Sequence, residues 1–538
     1  MNTMEVPVLI VGGGPAGLTM SLLLSRHGVA SLLVEKHADS SPLPRARGIH
    51  ARAMEILRVA GVEDDLRSAA LPIHPGVEWR ASLTAEPVRE FSMSGFAAVE
   101  VSPCDGVSLA QDVLETILRD HAAASDLADL RYQTELRDLA VCDDRAEGVM
   151  LDRASGTTTR VCARYLVAAD GARSGTRQRL GIGMDGPADL GRQRAIYFRA
   201  DLSAWTGPSP RGLYFITEVH GVLVWTHPDH RWVLNLRDTG GEEDPLLLIE
   251  RAVGTRPHGV EVLGDSRWTA AAQNATSYRT GAAFLVGDAA HRFPPAGATG
   301  ISTAMHDTHN LAWKLAAVLH RQAGAALLDT YQQERQPVGA RNADETTSQW
   351  RRFTNPQAPL PPMRDIRQID MGYQYHSNAV VPDGSPDADR PGTTYTQTAT
   401  PGCRAPHAWT GGRSTIDLFD RDIVLLTGPD GAAWRTALAQ TPVISHILSG
   451  ATWRDVYGIG KDGAVLVRPD GIVAWRSATS GNPEAATIVV SDSLLFHLPL
   501  GSPPRRPRSQ YGSGTQPATP TGLTGRSTPA NTRSAAMR

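Results

Sequence analysis

The chain has 538 residues, enough for two to four domains, with 41% hydrophobic residues and a formal net charge of -3. Without a basic field over the main body, nucleic-acid binding is not expected, and the apolar runs are too short and interrupted to span a bilayer. The N-terminus MNTMEVP does not resemble a signal peptide, and four scattered cysteines without CxxC or a histidine cluster predict a reducing cytoplasm and no disulfide or metal site.

The first predicted unit runs from Val8 to Glu35. It reads as a short apolar strand, a glycine turn, an apolar helix, a second strand and a carboxylate. The turn is Gly12-Gly-Gly-Pro-Ala-Gly17. A Gly-x-Gly-x-x-Gly turn between strand and helix lets a pyrophosphate approach the backbone N–H groups and the positive end of the helix dipole. An acidic residue about twenty positions later can bind a ribose. The pattern predicts a dinucleotide site but does not distinguish FAD from NAD.

The next elements alternate between helices and short strands. Helices are predicted at Ala51 to Ala60 and Gln111 to Ala123 because their apolar residues recur at helical spacing. Strands are predicted at Gly76 to Arg80, Ala97 to Val101, Leu136 to Cys142, Gly148 to Asp152 and Ala163 to Ala169.

Residues 181–275 form a β-rich block whose aromatic residues could line an apolar pocket or simply fill a sheet core; these are Tyr197, Phe198, Tyr214, Phe215 and Trp225. Further along, a strand is predicted at Ala282 to Val286, with helices at Thr303 to Arg321 and Ala325 to Ala343. After a proline-rich connector, a third unit has apolar strand-like runs at 422–427, 464–475 and 487–490. The last forty residues are rich in Ser, Pro, Thr, Gly and Arg, a composition typical of disorder.

Two more glycine–acid motifs follow predicted buried strands. The first is Asp170-Gly171 with Ser174 and Arg177, and the second is Gly287-Asp288 followed by the loop 294–301. The carboxyl end of a strand is where ligands bind in open α/β sheets. Asp288 could hold polyol hydroxyls, and the glycines after it would let the backbone approach a flat ring. Each motif alone is more often a turn or a helix cap.

Together, in this order and spacing, the three motifs resemble the class A flavoprotein monooxygenases, which have the p-hydroxybenzoate hydroxylase fold. The resemblance covers residues 5–345. A finer similarity, to the aromatic polyketide hydroxylases that include aklavinone and tetracenomycin hydroxylases, rests on the segments 44–55, 307–315, 331–335, 401–407 and 466–476.

The resemblance implies a mixed α/β fold. It implies a Rossmann-like FAD-binding domain formed by residues 1–70, 106–180 and 276–345, with an inserted antiparallel β-sheet substrate domain formed by 71–105 and 181–275. A connector at 346–400 would lead to a thioredoxin-like C-terminal domain at 401–498 and a disordered tail at 499–538. Because the C-terminal domain lacks CxxC, a structural role is expected for it.

The resemblance also implies roles for individual residues. Gly12, Gly14, Pro15, Ala16, Gly17, Glu35 and Lys36 would bind the AMP half of FAD, and Leu136 would lie near the adenine. Arg45 and Gln111 would contact the flavin side, Asp170 is associated with cofactor and nicotinamide handling, and Asp288 would bind the ribityl chain. Pro295, Gly297, Ala298, Gly300 and Ile301 would lie against the isoalloxazine. Arg52 would lie near flavin and substrate as a catalytic residue, or would simply pair with Glu55 on the helix surface.

The implied reaction uses FAD, NADPH or NADH as co-substrate, and O2 to hydroxylate a polycyclic aromatic molecule, without a metal. Oxygen insertion of the Baeyer–Villiger or rearranging type is an alternative, as is a non-catalytic flavin-binding or drug-binding protein. A monomer or homodimer is expected. His291 is a candidate for a direct chemical role but more often packs structurally.

The chain departs from the family pattern beside the flavin. Many relatives have Gly-Gly-x-Gly and then Asn, where this chain has Gly297-Ala-Thr-Gly300 and Ser302, and His306 stands where glutamine is frequent. We expect these changes to affect substrate position and reaction outcome more than FAD binding.

Overall fold

A computed structural model describes residues 3–92, 97–98, 100–354, 364–389, 394–450 and 452–495. The predicted disordered tail at 499–538 lies outside these residues. Within them, no helix combines the length and apolar character that crossing a membrane requires.

The strands of the described residues follow in chain order. They are β1 Thr3–Val11, β2 Ser31–Val34, β3 Gly48–Ile49, β4 His74–Arg80, β5 Arg89–Ser92, β6 Val107–Ser108, β7 Ala128–Arg131, β8 Thr134–Val141, β9 Ala146–Asp152, β10 Thr158–Ala168, β11 Met184–Asp185, β12 Arg192–Arg199, β13 Arg211–Ile216, β14 Gly221–His227, β15 Arg231–Arg237, β16 Glu261–Thr269, β17 Gln273–Ala275, β18 Arg279–Thr280, β19 Ala283–Leu285, β20 His291–Arg292, β21 Trp409–Thr410, β22 Arg413–Ser414, β23 Ile423–Thr427, β24 Val443–Ile447, β25 Ala464–Val467 and β26 Val473–Ser477.

The helices are α1 Pro15–Arg26, α2 Ala51–Val59, α3 Glu63–Ala69, α4 Gln111–Ala123, α5 Gly175–Arg179, α6 Ser203–Thr206, α7 Pro245–Val253, α8 Thr299–Leu319, α9 Asp329–Thr354, α10 Ile366–Met371, α11 Ala432–Ala437, α12 Trp453–Tyr457 and α13 Pro483–Ile488. Short 3-10 turns lie at Gly287–Ala289, Ala296–Ala298, Ala325–Leu328 and Thr415–Leu418, and a π-helical turn at Val489–Leu494 continues α13.

The largest sheet has a parallel centre. Its order is β18-β19-β10-β1-β2-β7, with β1 parallel to both β2 and β10 and with the β8–β9 hairpin joined to β10. Parallel strands are usually buried on both faces, and the apolar runs of β1 and β2 are buried here between helices that include α1 and α8. This arrangement brings the carboxyl ends of β1, β10 and β19 to one edge.

A second sheet has the order β16-β12-β15-β14-β13-β4-β5. Its strands pair antiparallel except β4 and β13, which are parallel, so the predicted purely antiparallel sheet is corrected at this pair. β4 enters from the chain segment after α3, whereas β13 belongs to the later β-rich block. The direction of this pair is therefore not fixed by a hairpin. The aromatic residues Phe198, Tyr214 and Trp232 are buried in the core of this sheet.

The third sheet, β24-β23-β25-β26, mixes one parallel pair with two antiparallel pairs. The apolar run Thr487–Val490, predicted as a strand, is helical instead. Asn482 caps α13 by accepting from the backbone N–H of Glu484, and Pro483 occupies the first turn. Val490 and Ala486 lie on the buried face of this helical segment.

Two further predictions need correction. Ala97 and Ala98 are not in a strand, since the N–H of Ala98 donates to Asp105 and the N–H of Val101 donates to the Ala98 carbonyl in a turn. The helix predicted at Ala325 to Ala343 begins with a 3-10 turn and continues as α9 from Asp329 to Thr354, beyond its predicted end.

Fully buried ion pairs join the C-terminal segment to the helices α2, α8 and α9. Glu334 of α9 accepts from Lys314 of α8 at 2.7 Å and from both terminal nitrogens of Arg468, which lies just after β25. Glu55 of α2 is similarly shared by Arg52 and Arg404. Breaking a buried pair by removing one partner typically costs about 3–5 kcal/mol, because the other charge stays buried.

Glu334→Gln should therefore lower the free energy of unfolding near neutral pH by about 3–5 kcal/mol. Burial opposes ionisation of Glu334, but Arg468 and Lys314 outweigh it and lower its pKa from the usual 4.5. A lowered folded-state pKa contributes stability that is complete above the unfolded value and is lost as pH falls below it.

Urea unfolding at a series of pH values tests this. Wild type should lose stability more steeply than Glu334→Gln below about pH 4.5, and the exposed Glu86→Gln should follow wild type. Parallel pH profiles for wild type and Glu334→Gln would contradict the assignment.

Candidate active site

The glycine turn after β1 is built around a close backbone approach. Gly12 has a φ of +113°, and a Cβ added there would lie 2.3 Å from the carbonyl oxygen of Ala169. Only glycine fits, and the turn thereby touches the strand end that carries Asp170. Glu35 accepts from the N–H groups of Gly13 and His37, both at 2.8 Å, so this carboxylate is fixed beside the turn as predicted for a ribose ligand.

The Asp170 carboxylate is hydrogen-bonded within the loop that follows it. It accepts from the Ser174 hydroxyl and, at 2.9 Å, from the Thr176 N–H. Arg177 donates to the carbonyl of Ala289 at 3.2 Å, which ties this motif to the Gly287-Asp288 motif. In the structure Asp170 therefore orders the loop beside the glycine turn.

The Gly287-Asp288 motif packs directly on α1. A Cβ at Gly287 would lie 3.1 Å from the Cβ atoms of both Ala16 and Ala304, so this glycine is held between α1 and α8. Its N–H donates to Asp307 at 3.0 Å. Asp307 also contacts His291 Nε2 and Arg335 Nε, both at 2.7 Å. The His291 side chain is thus held in a buried pair with Asp307, which fits the structural role expected from the sequence.

Asp288 lies within electrostatic range of Arg45, another predicted cofactor residue. It is solvent-accessible, yet the surrounding protein raises its pKa through burial, against the opposing charges of His291, Arg292 and Arg45. The same Arg45 and also Glu35 act on the buried Glu115. Glu115 accepts from Gln111 at 2.7 Å and would lie 4.0 Å from a Cβ at Gly14. Glu115 thus lies beside Gly14 and Gln111, with Glu35 and Arg45 in electrostatic range, and Arg45 also acts on Asp288.

The loop before α8 is shaped by two left-handed residues. Gly297 has a φ of +78°, and a Cβ there would lie 2.7 Å from the Gln349 side chain. Ala298 adopts a φ of +52° although it is not glycine. α8 starts immediately after it, without a side-chain cap, and a Cβ at Gly300 would meet no atom within 4 Å. The first N–H groups of α8 therefore border open space beside Pro295 and Ile301.

This space fits FAD. α1 and α8 both begin without a capping side chain, and the positive end of a helix dipole favours an anion or developing negative charge. Gly14 and Gly300, which lie at these two helix starts, both have room for an added methyl group. Glu35 and Asp288 are carboxylates that can accept hydrogen bonds from hydroxyl groups.

Leu136 and Lys36 are two further residues predicted to bind the cofactor. Leu136 is buried in the core of the large sheet, where a Cβ at Gly148 would lie 2.7 Å from its side chain. Lys36 is exposed, and its carbonyl accepts from Arg153.

Arg52 is buried, not on the helix surface. Its guanidinium pairs with Glu55 at 2.8 Å and donates to the carbonyl of Asp470, while its backbone N–H donates to Asp370 at 2.9 Å. The alternative that Arg52 pairs with Glu55 is confirmed, and the expected surface location is wrong. In the structure Arg52 connects α2 with the C-terminal strands.

Several functional candidates were missed by sequence reasoning. Arg47 crosses from the segment before β3 to the second sheet, and Asp112 at the start of α4 contacts His227 of β14 at 2.9 Å. These contacts join residues far apart in sequence, so no local pattern indicates them. Glu115 could have been found, because it lies one helical turn after Gln111 and can contact it.

Comparison with known proteins decides the family. Residues 5–346 match the FAD binding domain family, and residues 398–492 match the aromatic-ring hydroxylase C-terminal family. The chain belongs to the FAD-binding aromatic-ring hydroxylases. Its resemblance to class A flavoprotein monooxygenases is confirmed, FAD is its cofactor, and NAD(P)H use is typical of the family.

Similar proteins cover nearly the whole chain. A tetracenomycin B2 monooxygenase-dioxygenase of Streptomyces olivaceus is 37% identical over 93% of this chain and 99% of its own. A 4-methyl-5-nitrocatechol 5-monooxygenase of Burkholderia sp is also 37% identical, over 90% of this chain and 96% of its own. The crystal structure of aklavinone-11 hydroxylase with FAD and aklavinone matches with a TM-score of 0.84 and 33% identity, covering 92% of this chain and all of that one.

Gly14→Ala and Gly300→Ala should each weaken FAD binding by roughly tenfold or more, because the added methyl group occupies the cofactor's space. Neither should strain the FAD-free fold, since Gly14 has a φ of -80° and neither Cβ would meet an atom closer than 4.0 Å. Flavin fluorescence titration and thermal unfolding of the FAD-free proteins measure the two effects. Gly241→Ala, also in open space, is the control and should leave FAD affinity unchanged. Unaltered FAD affinity in both test variants would rule out this placement.

Ala298→Gly should stabilise the protein by about 1 kcal/mol or less, because a left-handed backbone strains alanine by about 1–2 kcal/mol and glycine's extra freedom in the unfolded chain offsets part of the gain. Ala296→Gly, two residues earlier and without a positive φ, should destabilise. Thermal unfolding midpoints distinguish the two, and equal destabilisation would show that Ala298 is not strained.

Proposed function

We propose that this protein is an FAD-dependent monooxygenase that uses NAD(P)H and O2 to hydroxylate a polycyclic aromatic polyketide. The observation that carries the proposal is the meeting of three sequence-distant motifs around one space with two uncapped helix starts and two hydroxyl-binding carboxylates. The similarity to aklavinone and tetracenomycin enzymes supports the substrate class.

Each part of the space has a proposed role. Gly12 to Gly17 and the start of α1 would hold the pyrophosphate, with Glu35 on the ribose. Asp288 would hold the ribityl chain, and the start of α8 would lie against the reactive ring. When bound, FAD supplies the chemistry: it accepts electrons from NAD(P)H and activates O2, so that one oxygen atom enters the substrate and the other leaves as water. The chain's own groups orient the rings, exclude water and place helix N–H groups where negative charge develops.

The second sheet would bind the substrate where it borders this space. Leu43 lies near Gly264 of β16, and Asp112 contacts His227 of β14, so the cofactor segments and the sheet pack together. Most of the predicted aromatic residues fill the sheet core, as the simpler interpretation expected. Phe215 lies outside this core and stacks on Trp79, with ring centroids 4.7 Å apart.

The finer architecture is also proposed. The four-stranded third sheet with flanking α11 and α13 supports a thioredoxin-like C-terminal domain, and its position against α2, α8 and α9 supports a structural role. We propose that Arg52 positions α2 from this side. The domain boundaries, a monomeric or dimeric state, a cytoplasmic location and the lack of nucleic-acid or membrane partners stay predictions.

The experiment is oxygen-dependent turnover of the purified protein with NADPH or NADH and a panel of aromatic polyketides under ¹⁸O2. A yellow protein, substrate-stimulated NAD(P)H consumption and one labelled hydroxyl in the product are expected. An ester or rearranged skeleton containing the label would instead indicate Baeyer–Villiger-type insertion. NAD(P)H consumption that stays flat with every substrate would indicate a binding protein, and a colourless protein that cannot be loaded with FAD would overturn the proposal.

A further inference from the structure

Arg47 lies where the cofactor segment meets the second sheet. Its backbone is fixed by α4 and the residues before it, since Gln111 N–H donates to the Ala46 carbonyl and Leu109 N–H donates to the Arg47 carbonyl. Its side chain then crosses to the sheet. Nη1 donates to the carbonyl of Trp225 at 2.8 Å, and Nη2 donates to the carbonyl of Gly212. The guanidinium is therefore held at a defined place between β13 and β14.

The charge of Arg47 has no counter-charge there. Both of its acceptors are neutral backbone carbonyls, and no carboxylate of the described residues lies within ion-pair distance of it. Several buried arginines elsewhere do pair with a carboxylate, namely Arg194, Arg335, Arg404 and Arg468. Burial lowers the pKa of Arg47 to about 10. Withdrawing a cation even partly from water without a counter-charge is costly, and an anion bound beside it would offset that cost.

The side chain can still receive a ligand. A guanidinium has five N–H donors, and the two carbonyls use one on each terminal nitrogen. Arg47 is only partly buried in the accessible surface, so it borders open space. The segment that carries Arg47 also carries predicted cofactor residues, because Arg45 lies two residues earlier and the N–H of Gln111 donates to the Ala46 carbonyl.

We propose that Arg47 is a catalytic residue that binds the phenolic oxygen of the aromatic substrate as a phenolate. This rests on the proposed function, which places a hydroxylated aromatic ring between the flavin site and the second sheet. The phenol O–H bond breaks, its proton leaves to the buffer and the electron pair stays on oxygen, with no other bond changed. A phenolate carries more electron density at its ortho and para carbons, which are the positions that an electrophilic oxygen attacks.

The alternative role of Arg47 is purely structural. Its hydrogen bonds to the carbonyls of Trp225 and Gly212 would then serve only to join the segment before β3 to the second sheet. In that role Arg47 would stabilise the fold but would not change the ionisation of a bound phenol. The two roles therefore differ in a spectroscopic property of the ligand, which can be measured without turnover.

The test uses FAD-loaded protein without NAD(P)H and the probe 2-hydroxyanthraquinone, at a pH below the probe's own pKa. Its anion absorbs at longer wavelength than its neutral form and beyond the flavin bands. With wild type we expect the anion band on binding and net proton release in weakly buffered solution. Arg47→Met should weaken binding by roughly tenfold or more and leave the bound probe neutral, because the charged donor is lost. Arg47→Lys should keep part of the anion band.

Arg199→Met is the matched control, because it removes an exposed arginine of the same sheet that pairs with Glu261; it should bind the probe as wild type does. FAD content and thermal unfolding of each variant report folding separately. The proposal is overturned if wild type fails to bind the probe or binds it in the neutral form, or if Arg47→Met binds the anion unchanged. If turnover is intact while the bound probe stays neutral, this inference alone fails, whereas absence of FAD binding or turnover would count against the proposed function.

Discussion

The placement of the cofactor site depends on the buried carboxylate of Asp307. It accepts from the backbone of Gly287 and contacts His291 and Arg335, so one side chain of α8 fixes the strand end that carries Asp288. Arg335 belongs to α9, where its neighbour Glu334 accepts from Lys314 and Arg468. The same pair of helices therefore holds the cofactor motif on one side and the C-terminal strands on the other.

The charged groups behind the large sheet differ from those near the cofactor motifs. Behind the sheet Glu55 and Glu334 are buried and paired with cations, and burial of such pairs can specify one packing more than it adds net stability. At the edge of the cofactor space they are accessible or without a counter-charge: Asp288 has a raised pKa, and Arg47 has only carbonyl acceptors. A site that must bind charged or ionisable molecules is expected to differ from its scaffold in this way.

The sequence was sufficient for features that short-range patterns encode. The glycine turns, Glu35, Asp288 and the helix Gln111–Ala123 follow from spacing and composition, and the family resemblance placed them around FAD. The sequence was insufficient where tertiary contacts determine the local structure. Thr487–Val490 has strand-like composition but helical neighbours, and β4 and β13 pair in parallel without a hairpin to indicate it. The Asp470 carbonyl that accepts from Arg52 and the two carbonyls that accept from Arg47 lie more than 150 residues away in sequence.

The long reach of these ion pairs has a consequence for how the chain is made. Glu55 and Glu334 each pair with one cation that precedes them, Arg52 and Lys314, and with one arginine that is synthesised much later, Arg404 and Arg468. A nascent chain that already carries all three cofactor motifs still presents acidic groups on the face that the C-terminal strands will cover. Because the three cofactor motifs precede residue 404, all of them are synthesised before the arginines that hold α2 and α9 from the C-terminal side.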